Sequence, residues 1–177
     1  VTMALGAIWS PTGYKTMANT LKKARPDVVH FHNTFPLISP SAYDACQNAG
    51  IPVVQTLHNY RTICPAGTLY RNGSVCKDCI GTIPTPAVRH GCYRNSSIQS
   101  VPAAALALTH RMLGTWQRKV DLFIALTPTQ RNLLIDGGLP ESRVALKPNL
   151  MSNPPQARYD DDGYAVYLGR LAEEKGI

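Results

Sequence analysis

Residues 25–59 read "RPDVVHFHNTFPLISPSAYDACQNAGIPVVQTLHN", and the reading of this stretch decides the fold. Asp27-Val-Val-His-Phe-His32 is a short apolar run with β-branched residues, bounded by Pro26. Such a run is a buried strand. Ser39-Pro40 follows, a side-chain oxygen to cap and a proline for the first helical position. Ala42, Ala45, Cys46 and Ala49 supply one apolar face, and Gly50 closes the helix. Pro52-Val-Val-Gln-Thr-Leu57 is the next strand. Strand, helix and strand with short links are the signature of a parallel sheet covered by helices.

The pattern extends in both directions. Upstream, Tyr14, Met17, Ala18 and Leu21 recur at helical spacing, with Lys15, Lys22 and Lys23 off the stripe. Pro26 ends that helix, because the residue before proline avoids helical angles. Downstream, the alternation breaks over residues 59–96, a long loop rich in Gly, Pro, Arg and Cys. A loop of that length needs a function or a staple of its own. A helix is expected over about 97–118 and a strand over Val120-Asp-Leu-Phe-Ile-Ala-Leu126. Thr127-Pro128 starts a further helix that Gly137-Gly138 ends, and Arg143-Val-Ala-Leu-Lys147 is the last clear strand. Residues 148–163 read as an exposed linker, and Val166-Tyr-Leu168 as the opening strand of a new α/β unit. The expected division is therefore 1–155 and 156–177.

At 177 residues the chain suits one domain with a real core, or one domain plus a piece of another. It holds no apolar run of about 18 residues, which argues against a transmembrane helix, and nothing in it argues for secretion. The net charge of +7 fits a mildly basic surface, a nucleotide phosphate, an anionic membrane or nucleic acid. Nucleic acid is the weakest of these, because the cations are not interleaved with aromatics that would stack bases.

His58 falls just past a central strand, where open α/β sheets bind ligands. It can donate to a sugar hydroxyl or phosphate, act as an acid or base, or merely bond a neighbouring loop. His30 and His32 share one strand face. His30 is read as a satisfied strand-end residue rather than a metal ligand, whereas His32 and Asn33 could line the crevice, with Asn59 and Arg61. His110 is expected on a solvent-facing helix surface. The helix over 97–118 is expected to face the core, with an anionic membrane surface as the alternative.

Cys46 reads as a small core hydrophobe. Cys64, Cys76, Cys79 and Cys92 fall in the long loop. The Cys76-Lys-Asp-Cys79 pair can grip one ion, and Cys64 and Cys92 can complete a tetrahedron. A structural zinc is the favoured reading, with His90 as a substitute ligand. Disulfides, free thiols and a redox pair are the other possibilities. At the far end, Gly169 allows close backbone approach, Arg170 and Lys175 supply two cations, and a helix start adds free N–H groups. This is either a diphosphate cradle or a solvated turn.

"RPDVVHFHN" (25–33), "IPVVQTLHNYRTICP" (51–65), "VDLFIALTPTQRNLL" (120–134), "RVALKPN" (143–149) and "YLGRLAEEKGI" (167–177), in this order, resemble the family-four glycosyltransferases of the GT-B fold. The cysteine-bearing loop resembles a subgroup found in bacterial surface-polysaccharide clusters. The resemblance implies an α/β, Rossmann-like N-terminal acceptor-side domain carrying a long Cys-rich insertion, followed by the start of a donor-binding domain. It implies that the family's first strand and Gly-rich loop precede Val1, and that the chain is a fragment without transfer activity of its own. It implies a retaining hexosyltransferase that uses a nucleotide diphosphate sugar and a glycan or lipid-linked acceptor, without a catalytic metal. His58 then matches the histidine that reaches the donor sugar, and Arg170 and Lys175, beside Gly169, match the donor-diphosphate pair. A cytoplasmic location, peripheral on the inner face of the membrane, follows from such acceptors. The alternatives are a zinc-stapled glycan-binding module without chemistry and a cysteine-based redox protein.

Overall fold

The computed structural model describes residues 6–35, 37–154, 156 and 163–175. Its centre is a sheet of four strands in the order β1-β2-β5-β6, with every neighbouring pair parallel. These strands are β1 (Val29–Phe31), β2 (Val53–Thr56), β5 (Leu122–Ala125) and β6 (Val144–Leu146). Helices flank the sheet, as the α/β reading expects.

Helix α1 (Pro11–Ala24) begins where the Ser10 hydroxyl accepts from the Gly13 N–H, and ends at Arg25 in a left-handed conformation. It buries Leu21 and leans Tyr14, Met17 and Ala18 on the core. Helix α2 (Ser41–Asn48) starts one turn position later than Ser39-Pro40 suggests. Pro40 occupies the cap without a side-chain bond, because the buried Ser39 hydroxyl pairs with Ser41 Oγ instead. Gly50, at φ 68°, turns the chain into β2. Helix α6 (Pro128–Asp136) is capped as expected, by Thr127 accepting from the Gln130 N–H.

Two expected elements differ. The helix over 97–118 is two helices, α4 (Ser97–Met112) and α5 (Thr115–Lys119), divided at Gly114 with φ 59°. The left-handed glycine stops the first and caps the second, which sends Trp116 inward. Residues 166–168 do not form a strand. Val166 and Leu168 are exposed, and none of the four sheet strands pairs with this stretch.

The Cys-rich segment carries a hairpin, β3 (Tyr70–Arg71) with β4 (Ser74–Val75), and the short helix α3 (Thr85–Arg89). Asn72 and Gly73 link the strands with φ of 50° and 80°. Asn-Gly is the pair that this two-residue turn favours, a signal the sequence reading passed over.

The core lies between sheet and helices. Phe31, Tyr43, Val53, Trp116, Phe123 and Leu134 form its centre. Tyr43 packs edge-on to Phe31 and to Trp116 and donates to Gln55 Oε1, and burial pushes its phenol up to about 12. His110 is buried, not solvent-facing: only 3% of it is exposed. Its ring nitrogens meet Thr115 Oγ1 at 2.9 Å and the Ile8 carbonyl at 2.8 Å. Burial, the larger cause, holds its pKa below the ordinary value.

Candidate functional site

All four sheet strands run the same way, so their carboxyl ends share one edge. Ligands of open α/β sheets bind outside that edge. A crevice opens there, lined by Asn33, His58, Asn59, Arg61, Thr62 and Trp116 among others.

The first two strands set its polar rim. His30 Nε2 lies 2.8 Å from Thr56 Oγ1, His32 Nδ1 lies 2.9 Å from His58 Nε2, and Asn59 Nδ2 donates to Asn33 Oδ1 at 2.8 Å. Each pair is separated by 26 positions, so one parallel register places all three. The His32 and His58 rings stack with centroids 5.2 Å apart, and His30 tilts against His32 at 4.4 Å. Partial desolvation, then the charges of His32, Lys147 and His58, hold His30 below its ordinary pKa. Asn33, His58 and Asn59 thus line the crevice, and His32 stands behind them, in contact with His58.

Arg61 closes one side. Its guanidinium donates to the Pro65 and Ala66 carbonyls and lies 4.2 Å above the Phe35 ring and 5.3 Å from that of Tyr93. The Asn59 side chain accepts from the Arg61 N–H at 3.0 Å, which ties it to the Asn33–Asn59 pair. Burial lowers the Arg61 pKa.

Three further residues were not singled out from sequence. Gln130, buried on α6, donates to the Leu57 carbonyl at 3.0 Å and accepts from the Leu126 N–H at 2.8 Å. It thereby pins the ends of β2 and β5 together. Thr62 and Trp116 line the crevice and are buried. Among the described residues, neither Thr62 Oγ1 nor Trp116 Nε1 has a hydrogen-bond partner. A glutamine directly behind a Thr-Pro cap was a possible local signal. The convergence of Thr62 and Trp116 had none, because it depends on the break at Gly114.

Gly169, Arg170 and Lys175 do not line this crevice. The Tyr167 hydroxyl donates to the Arg170 carbonyl, and a Cβ on Gly169 would stand 2.7 Å from Tyr167 Oη. A side chain at 169 would therefore displace the exposed Tyr167 ring from this contact. Residues Glu173–Lys175 form a single 3-10 turn in place of a helix start.

The four loop cysteines converge. Cys64, Cys76, Cys79 and Cys92 line one small pocket, walled by Ala66, Leu69 and Ala87. All are free thiols. Burial, with the other three sulfurs adding to it, pushes Cys79 up to about 11. Cys46 lies apart, fully buried on α2, and burial raises it to about 11. His90 does not line the pocket.

A parallel α/β sheet with a crevice at its carboxyl edge is the architecture in which small ligands bind beyond the strand ends. The sequence model of Glycosyltransferase Family 4 matches residues 3–151. The chain belongs to that family, and so to the glycosyltransferases, which act on a sugar donor and an acceptor. No curated protein and no solved structure matches the chain.

Proposed function

We propose that this protein moves a hexose from a nucleotide diphosphate sugar to a glycan or lipid-linked acceptor, with retention of configuration, in the synthesis of a surface polysaccharide. The observation that carries the acceptor assignment is the pair of buried, unpartnered donors in the His58 crevice, Thr62 Oγ1 and Trp116 Nε1. Leaving such a group unpaired costs about 1–3 kcal/mol. A hydroxyl-rich ligand that seats there removes the cost and gains orientation.

His58 is the group aimed at the reacting sugar, held by His32. Gly169, Arg170 and Lys175 hold the diphosphate. Negative charge develops on the leaving diphosphate, and preorganised cations lower that barrier without a catalytic metal. Ile98, Val101, Met112 and Leu113 are exposed along and just after α4, near Arg111 and Arg118. This stripe suits contact with the inner face of an anionic membrane, where lipid-linked acceptors lie. No described helix is long and apolar enough to cross a membrane.

The test offers the whole protein a panel of nucleotide diphosphate sugars with glycan and lipid-linked acceptors. Release of nucleoside diphosphate and the anomeric configuration of the product are read together. Turnover with retention supports the assignment, and an inverted product overturns the mechanism. Glycan binding without turnover of any donor would favour the binding-module alternative.

A further inference from the structure

The segment from Cys64 to Ser96 has little to hold it together. Its regular structure is one hairpin of two-residue strands and one five-residue helix. Its buried apolar side chains are few: Pro65, Leu69, Cys79, Pro84 and Ala87. Units below about 40 residues rarely stand on so small a core without a metal or disulfides.

The same segment holds strained backbone. Among the described residues, five non-glycine residues have positive φ, and Leu69, Asn72, Arg94 and Asn95 lie within it. Leu69, at φ 51° and 4% exposed, is the costliest, because a branched side chain disfavours that region. Strain of this kind persists only where the surroundings over-determine it.

Four thiols from three separate stretches meet in this segment. The Cys76 N–H donates to the Leu69 carbonyl at 2.8 Å, so the strained residue and the Cys76–Cys79 turn are one unit. Arg71 pairs with Asp78 at 2.6 Å beside that turn. We propose that Cys64, Cys76, Cys79 and Cys92 bind one structural zinc ion, which staples the segment onto the sheet domain. The inference is independent of the transfer reaction.

As placed, the thiols do not form a closed shell: among the described residues, no group of three or more His, Cys, Asp or Glu side chains is set to hold a metal ion. Side chains lining one pocket need an added attraction to close into such a shell. Zinc supplies the attraction. Binding converts four thiols to thiolates and releases their four protons, and side-chain rotation within the shared pocket brings the sulfurs onto the ion. The Arg71 guanidinium stands beside Cys76 and Cys92 and offsets part of the resulting negative charge.

Metal analysis of the reduced whole protein is the test. About one zinc per chain is expected, and cobalt substituted for it should show thiolate charge-transfer bands of a four-sulfur site. Cys76→Ser should lose the metal, and Cys46→Ser, outside the pocket, should keep it. If the Cys76→Ser protein does not fold, alkylation of the native chain decides: four thiols should become reactive only after a chelator removes zinc. A metal content near zero in reduced protein overturns the proposal. So do two disulfides by mass, or full zinc retention in folded Cys76→Ser protein.

Discussion

The Nδ1 of His32 stands 2.9 Å from the Nε2 of His58, with the two rings stacked. A contact between two ring nitrogens needs one proton between them, so one donates and the other accepts. His32 therefore sets which nitrogen of His58 is left to face the crevice. Under the transfer assignment, His58→Ala should lower kcat about 100-fold or more. His32→Ala should lower it about 10-fold, by loss of orientation. Kinetics of the double variant decide whether the pair acts as a unit: it should be no worse than His58→Ala alone, and additive losses would sink the positioning role.

Trp116→Phe keeps the ring that packs on Tyr43 but removes the unpartnered indole N–H. Fold stability should fall by about 1–2 kcal/mol, the cost of a smaller ring in the buried core and not of a lost hydrogen bond. The acceptor KM should rise about 2- to 10-fold, the worth of one hydrogen bond. Urea titration and acceptor kinetics on the same preparation check both halves. A large stability loss with an unchanged KM would mean that the N–H serves the fold.

His110 makes stability depend on pH. Its folded pKa is depressed by burial, so the native state binds fewer protons than the unfolded one near the ordinary value of 6.5. The stabilisation is then present above that value and is lost as pH falls through the folded pKa. His30 is shifted in the same direction. The urea midpoint should therefore fall on acidification below about pH 6.5, and His110→Gln should flatten the fall. An unchanged slope in that variant would rule out His110 as the source.

Gly137 ends α6 against the core. A Cβ there would stand 2.3 Å from Ile63 Cγ2. Gly137→Ala should destabilise by about 1–3 kcal/mol, the cost of overpacking. Ile63→Ala in the same chain should recover part of that loss. A double-mutant cycle by chemical denaturation measures the coupling, and its absence would mean that the neighbouring backbone yields freely.

What could be read from the chain was local. The β-branched runs of β1 and β2, the Thr127-Pro128 cap and the Gly50 turn each declare themselves within a few residues. The position of His58 follows from the end of a strand, and the one register that pairs β1 with β2 brings His32 and Asn33 with it. The burial of His110 was not legible, because its partner carbonyl lies 102 positions away. The inward turn of Trp116 was equally hidden. It rests on a single left-handed glycine, and helical periodicity runs across Gly114 without a mark.

Arg61 is where the cysteine segment and the crevice meet. The Pro65 and Ala66 carbonyls and the Tyr93 ring grip a guanidinium that also lines the ligand space. Drift in the cysteine segment is therefore not silent. A substitution that shifts either carbonyl or the Tyr93 ring alters the tilt of one planar cation, and selection for the right partner molecule then acts on residues that never touch it. The framework strands can stay constant while such tuning proceeds at a distance, and Arg61 is the point of inheritance between the two.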